Sequence, residues 1–436
     1  MTLRRKAIFL SVISILLVFF MISGCQLDED ETRMDEHSSK LNDVQSEGMD
    51  EQEMLHPAEP EPVEPTEPIQ EPEPYYTEAT LTAVGDIMMH LPQINSGFNA
   101  EDRSYNFDSF FSEVSDRLSA GDWVIGNLET TLVDEDPRGY TGYPEFNAPP
   151  ELADAIKKAG FSILTTSNNH SLDRRERGVI RTLEHLQDRG LLAIGTAASP
   201  EEAEHIHVVT HQDISMAILA YTYGTNGIPI PEGKDYLVNL IDEERILHDI
   251  ERAKELQPDL ITVALHFGNE YQSKPTAEQQ RLVRSLVSAG ADLILGSHPH
   301  VLQPYEVIDV ESEDGGTRKG IVIYSMGNFI SNQDRSRNNN HPTEIGVIFE
   351  VDIRKSFPDE SISFTEVRAI PTYVDKGPQH GKQAYRVLML DTILAERSIE
   401  LWSGKSYDTL DSYYQTALSS LEAMHVPAQL DTLPNR

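Results

Sequence analysis

The stretch ILTTSNNHSLD, residues 163–173, fixes how the rest of the chain is read. Apolar residues run directly into Asn168, Asn169 and His170. The pattern describes a buried strand that stops on two amides and an imidazole. In an α/β sheet the loops after the carboxyl ends of parallel strands share one edge, and ligands bind there. A strand ending in this way asks whether other strands do the same.

They do. AVGDIMMH offers Asp86 and His90, and VIGNLET offers Asn127 and Glu129. VALHFGNEY gives His266 with Glu270 behind it, LILGSHPHVLQP gives His298 and His300, and YSMGNFI gives Asn328. Each group follows a short run rich in Val, Ile or Leu. Such runs alternate with amphipathic stretches along the chain, the pattern of strands alternating with helices. Strands are expected at Thr80–Val84, Trp123–Gly126, Ser162–Thr166, Leu192–Ile194, Ser215–Ala220, Leu260–Leu265, Asp292–Leu295 and Gly320–Tyr324. Helices fit PPELADAIKKAG, RTLEHLQDRG, DEERILHDIERAKELQ and TAEQQRLVRSLVSAG, the last closing on Gly290 as a C-cap. EIGVIFEVDI and SISFTEVRAIP alternate with period two and read as antiparallel strands. The expectation is one α/β domain with a partly antiparallel sheet, over residues 78–381, and a helical C-terminal extension, 382–436.

The ligand types choose the chemistry. Histidine with Asp, Glu and Asn oxygens suits one or two divalent ions such as Mn²⁺, Zn²⁺ or Fe²⁺. His298 and His300 flank Pro299 and cannot share a helix face, but a turning segment can aim both at one centre. Gly296 and Gly268 allow close backbone approach. Asn169 then serves as an oxygen ligand, and His170 faces the substrate as a general acid or a phosphate-binding hydrogen-bond donor. The alternative is structural: the amides cap loop backbone and His170 is hydrogen-bonded in the core.

The ends bound the compartment. Arg4, Arg5 and Lys6 precede an apolar run from Ala7 to Met21, followed by Ile22-Ser23-Gly24-Cys25. This describes a secretory signal over residues 1–24, with an uncleaved anchor helix as the alternative. ISGC resembles a lipobox, which would lipidate Cys25, the single cysteine, and anchor the protein at the extracytoplasmic face of a membrane. Residues 25–77 are acidic and rich in Pro and Glu, ending in PAEPEPVEPTEPIQEPEP, a composition that builds no core and reads as a disordered tether. The formal net charge of −37 argues against nucleic acid as a partner.

Taken in order, GDIMMH, GNLETTL, FNAPPELADAIKKAGFSILTTSNNHSLD, LHFGNEY, AGADLILGSHPHVLQPYEV and YSMGNFI resemble the bacterial poly-gamma-glutamate capsule synthesis family, related to calcineurin-like metallophosphoesterases. The resemblance implies a central β-sandwich flanked by helices, membrane-bound synthase partners, and an anionic polymer or phosphoester as substrate. It implies metal ligation by Asp86, Asn127, Glu129, Asn169, His266, His298 and His300, with His170 catalytic. Asn168, Arg174 and Asn328 are the substrate-binding candidates, Arg174 because DRRERG places a basic cluster beside His170. Two positions depart from the metallophosphoesterase pattern. Met88 stands where a histidine is usual, with His90 as a replacement candidate, and Asn127 stands where a bridging Asp is usual. Either Glu129 takes over the bridge or a single ion is held. An exported phosphoesterase and a non-catalytic assembly subunit are the competing readings.

Overall fold

The computed structural model describes residues 73–134, 136–311 and 316–424. The expected signal, Cys25 and most of the tether lie outside these residues. Among the described residues no helix is long and apolar enough to cross a membrane.

Among the described residues sixteen strands follow in chain order. They are β1 (Tyr75–Ile87), β2 (Phe98–Asn99), β3 (Ser104–Tyr105), β4 (Trp123–Leu128), β5 (Ile163–Thr165), β6 (Leu192–Ile194), β7 (His207–His211) and β8 (Ile214–Thr222). Then come β9 (Leu260–His266), β10 (Leu293–Ser297), β11 (Leu302–Glu311), β12 (Thr317–Met326), β13 (Asn328–Ile330), β14 (Ile345–Phe357), β15 (Ile362–Gln379) and β16 (Lys382–Met389). One large sheet has the order β16-β15-β14-β1-β4-β5-β6, with β13 also paired to β1. The other has the order β11-β12-β10-β9-β8-β7. β1, β4, β5 and β6 run parallel, as do β8, β9, β10 and β12. The antiparallel strands β14, β15 and β16 extend the first sheet.

Side-chain alternation builds four layers. Leu81, Ala83, Ile125 and Ile163 of the first sheet pack with Met216, Ile218, Ala220, Leu293 and Ile323 of the second, forming the core between the sheets. The opposite face of the first sheet, with Val84, Val124 and Leu164, meets Leu152 and Ile156 of helix Glu151–Lys158. On the far side, Ile261, Val263 and Ile294 meet Ile246 and Ile250 of helix Glu243–Glu255 and Val283 and Leu286 of helix Ala277–Ala289. Thr276 caps that last helix by accepting from Gln279 N, and Gly290 closes it at φ +132°. This is the sandwich flanked by helices that the resemblance implied.

Two boundaries differ from expectation. β1 begins at Tyr75, inside the expected tether, because its first residues pair with β14 from Tyr75↔Phe357 onward. The helices expected after residue 381 are present, and a strand precedes them. Residues Lys382–Met389 form an edge strand on β15, joined by a turn in which His380 and Gly381 have φ of +50° and +81°. A two-residue turn with both angles positive matches the twist of a hairpin. Helices Leu390–Glu396 and Tyr407–Leu421 then bring Leu390, Ile393, Leu410, Ala417 and Leu421 into the inter-sheet core. Burying those side chains is what holds the segment on the domain.

Candidate metal centre

The parallel strands of both sheets end at one place. β1 reaches it by passing close to the strand beside it: a Cβ on Gly85 would lie 1.9 Å from Gly327 O, so only glycine fits, and Asp86 N donates to Gly327 O at 2.9 Å. β10 does the same at Gly296, where a Cβ would lie 2.0 Å from Tyr324 O.

The turn after β5 answers the opening question. His170 N donates to Asn168 Oδ1 at 3.1 Å, and Asn168 N donates to Ser171 Oγ at 2.9 Å. Asn168 Nδ2 donates to Leu128 O at 2.8 Å and to Asn127 Oδ1 at 3.2 Å. Asn168 therefore braces the turn against β4 and does not face a substrate. Asn169 points the other way, its Oδ1 lying 2.9 Å from His266 Nε2. His170 Nδ1 lies 2.6 Å from Asp173 Oδ2, which also accepts from Phe146 N at 2.5 Å. Phe146 meets the His170 ring edge-on at 4.6 Å.

Around the floor, His300 Nδ1 is 3.0 Å from Asp86 Oδ2, and His266 Nδ1 is 3.0 Å from Ser297 Oγ. His298 and His300 adopt φ of +100° and +57°. Left-handed backbone at a non-glycine residue costs on the order of 1–3 kcal/mol and concentrates at functional sites. The turn around Pro299 uses it to aim both rings inward. His298 Nδ1 is buried and has no hydrogen-bond partner.

Glu129 occupies the centre. It is fully buried, and neither carboxylate oxygen has a hydrogen-bond partner. Its Oε1 lies 3.8 Å from His266 Nε2, 3.9 Å from His300 Nε2 and 4.0 Å from His170 Nε2. Burial first, and then the charges of Asp86 and Glu270, push its carboxyl well above the usual range. Burial and the neighbouring imidazoles hold His266 well below the usual imidazole range, and burial brings His298 down to about 3. Among the described residues, ligand atoms of Asp86, Glu129 and His300 lie within 4.8 Å of one another. A buried carboxylate with no donor, with imidazole nitrogens within 4.0 Å, is a donor set that could hold a divalent cation.

Four expected site residues take other roles. Asn127 turns its amide nitrogen to Asp86 Oδ1 at 2.8 Å, while its oxygen receives Thr165 Oγ1 and Asn168 Nδ2, each at 3.2 Å. Its oxygen is thus taken by donors, and its nitrogen sits between Asp86 and His266 Nδ1, the latter at 3.3 Å, so here Asn127 braces both residues. Arg174, whose side chain is 1% exposed, lies 3.2 Å from Asp136 Oδ2 and donates to Thr141 Oγ1 at 2.5 Å and to Asp173 O at 3.2 Å. It pins the 136–147 loop and presents no charge to a substrate. Asn328 Nδ2 donates to Thr343 O at 2.8 Å, inside the protein. His90, the replacement candidate, has Nδ1 tied to Gln93 and to Asn332 N at 3.3 and 3.4 Å, and burial pushes its ring down to about 4. Buried Met88 has its sulfur 3.9 Å from Ser331 Oγ.

Residues that sequence reading passed over form the rim. Tyr223 follows β8 and lies 4.5 Å, ring to ring, from His298. Tyr271 follows β9 and lies 6.1 Å from His300. The strand-end rule that picked out the candidate ligands would have picked out these, had aromatic residues been included in it.

A two-sheet sandwich with Asp, Glu, Asn and His converging from its strand ends defines a metallophosphoesterase-like class of protein. Residues 80–333 match the family model described as bacterial capsule synthesis protein PGA_cap, and the chain belongs to that family. It is 32% identical over 268 residues to the capsule biosynthesis protein CapA of Bacillus anthracis, covering 59% of this chain and 61% of that one. It is 29% identical over 276 residues to the PGA biosynthesis protein CapA of Bacillus subtilis, covering 60% and 66%. The match thus spans less than two thirds of either relative. Among solved structures, the NAD nucleotidase of Haemophilus influenzae aligns with a TM-score of 0.41 at 13% identity, covering 78% of this chain and 60% of that chain. The calcineurin-like phosphoesterase YfkN from Bacillus subtilis aligns with a TM-score of 0.33 at 12% identity, covering 79% and 98%.

Proposed function

We propose that this chain acts in poly-gamma-glutamate capsule synthesis or export through a buried metal centre, while anchored by a lipid on Cys25 at the extracytoplasmic face of the cell membrane. Family membership supports the capsule role. The observation that carries the metal centre is Glu129, whose two oxygens are unpartnered and whose Oε1 sits within 4.0 Å of ring nitrogens from His170, His266 and His300. Asp86, Glu129 and His300 would hold one divalent ion, and Asn169, His266 and His298 stand on the side where a second would share Glu129. A bound Mn²⁺, Zn²⁺ or Fe²⁺ would supply Lewis acidity and acidify a water.

The remaining work falls to the chain itself. Asp173 takes up Nδ1 of His170, which leaves Nε2 as the atom that gives or receives a proton at the substrate. Asn127 and Asn168 keep Asp86 and the turn after β5 in register. The burial of His170, Asn169 and His298 limits water at the reacting atoms. Membrane-bound synthase components and the anionic polymer are the partners this reading assigns. The Asn169-His170 pair beside His298 and His300 also favours a second reading, an exported phosphoesterase acting on an envelope phosphoester.

Elemental analysis of the purified full-length chain, beside a His298→Ala/His300→Ala variant, tests the centre. Stoichiometric metal in the wild type, lost from a variant with unchanged circular dichroism, supports it. Metal in neither protein after supplementation with Mn²⁺ or Zn²⁺ overturns it. Turnover of phosphodiesters, but not of poly-gamma-glutamate, by the loaded protein would favour the second reading.

A further inference from the structure

The loop after β8 reaches the turn that carries Asn169 and His170. Its tip, Thr225-Asn226-Gly227-Ile228, is tightly closed: Ile228 N donates to Thr225 O at 2.9 Å, and Thr225 Oγ1 donates to Ile228 O at 2.6 Å. Asn226 and Gly227, at its middle, have φ of +52° and +74°. Asn-Gly is the pair that takes two positive angles at least cost. The root of the loop is tied to the floor, where Tyr223 N donates to His266 O at 3.0 Å and the Tyr223 ring lies 4.5 Å from that of His298.

The turn explains the backbone at Asn226 but not where its side chain goes. Asn226 is exposed, yet its amide points back at Asn169 and His170, which are 1% and 5% exposed. Its Oδ1 accepts from Asn169 Nδ2 at 3.2 Å and from the Tyr223 hydroxyl at 3.5 Å. With the oxygen held on that side, the nitrogen faces His170 and lies 3.5 Å from its Nε2. At that length the contact is weak, so the N–H is easily given up to a better acceptor. The arginines around His170 are already paired, Arg174 with Asp136, and Arg138 and Arg175 with Glu145.

We infer that Asn226 is a substrate-binding residue, whose amide N–H donates to the anionic oxygen that the substrate brings to Nε2 of His170. That oxygen belongs to a carboxylate of the polymer or to a phosphoryl group. The inference rests on the reading of His170 and the metal centre given above. Asp173 engages Nδ1 of His170, so Nε2 is the nitrogen left for substrate, and Asn226 places a second donor beside it. A neutral amide suits this position: it stabilises an anionic oxygen, and it does not repel a divalent cation on the floor as an arginine or lysine would. Because Oδ1 also holds Asn169, the rival role for Asn226 is that of a positioning residue, acting only through the Asn169 amide.

Two substitutions separate these roles, because both residues tolerate the positive φ of the turn. Asn226→Gly removes the whole amide, whereas Asn226→Asp keeps an oxygen for Asn169 and removes the N–H. Calorimetry on the full-length chain in Mn²⁺-containing buffer, with inorganic phosphate and separately with gamma-linked tetraglutamate, reads binding; elemental analysis of the same samples reads metal. The wild type should bind at least one of the two anions. Asn226→Gly should weaken that binding by about tenfold or more, and Asn226→Asp at least as much at unchanged metal content. A loss confined to phosphate assigns the N–H to a phosphoryl oxygen, and a loss confined to tetraglutamate assigns it to a polymer carboxylate. Wild-type affinity in Asn226→Asp with weakened Asn226→Gly overturns the donor and leaves a positioning residue. Weakening by Asn226→Asp alone, which reports only its added charge, overturns the inference, as does unchanged binding in both variants. A wild type that holds metal and binds neither anion overturns the inference and leaves the centre standing; a wild type without metal overturns both.

Discussion

Glu129→Gln should make the metal-free protein more stable and the metal-supplied protein less so. In the wild type the carboxyl is fully buried and has no donor, and its folded-state pKa is raised by burial and by Asp86 and Glu270. A raised carboxyl stabilises the fold below its unfolded value of about 4.3, and the contribution is lost as pH climbs through the folded value. Over that window the unfolded chain releases a proton that the folded chain keeps, so stability falls by up to about 1.36 kcal/mol per pH unit. The amide does not titrate, and its NH₂ can donate to Asp86. Leaving a buried polar group unsatisfied costs about 1–3 kcal/mol, so the variant should gain about that much at neutral pH without metal and nothing near pH 4. With Mn²⁺ at about a hundred times its dissociation constant the wild type gains about 2.7 kcal/mol, which the variant should largely forgo. Urea unfolding from pH 4 to 8, with chelator and then with Mn²⁺, reads both effects. A variant no more stable than wild type in chelator at pH 7, with an unchanged response to Mn²⁺, would refute the assignment of Glu129 as the central ligand.

Arg174→Ala should cost about 3–5 kcal/mol in urea unfolding, since it strips the cation from a buried ion pair with Asp136, and the folded fraction should still take up metal. Asp173→Asn should lower stability by about 1–3 kcal/mol by weakening its bonds to His170 and Phe146 N, and the His170 ring resonances should broaden in NMR spectra. Termination of the chain before Lys382 should give insoluble protein: Leu390, Ile393, Leu410 and Leu421 each contribute about 1.5–3 kcal/mol by burial, together comparable to the whole stability of a domain. A soluble, cooperatively unfolding truncation would show the C-terminal segment to be a separable appendage after all.

The strand ends were legible because they depend on order and residue type alone. Asp86, Glu129, Asn169, His266, His298 and His300 each follow an apolar run, and parallel strands bring such positions to one edge whatever the side-chain details. What stayed hidden depends on partners far along the chain. Nothing near Asn127 says which way its amide turns; that is decided by Thr165 and Asn168 on one side and Asp86 on the other. The charge of Arg174 looked available because Asp136 and Glu145, its partners, lie on a different loop. The C-terminal helices show the same apolar spacing that a solvated appendage could show, and only the core they complete separates the two cases. The hairpin before them did carry a local sign, His380-Gly381 between alternating residues, which is where β16 could have been found.

The charge balance of the floor supports the proposed metal centre even with Asn at position 127. Asp86 and Glu129 bring two carboxylates into a buried space. Imidazolium could offset them, yet burial and mutual repulsion hold His266 and His298 in the neutral form. An arginine could offset them, yet the nearest one in sequence to His170, Arg174, is committed to Asp136. A divalent cation is the counter-charge that matches two carboxylates and uses the imidazole lone pairs together. With Asn127 neutral and its oxygen occupied, a second ion would have Glu129 as its one shared anionic ligand, so the first ion should be held far more tightly than any second. On the proposed reading, Asn at position 127 puts the weight of the centre onto Glu129, two places on.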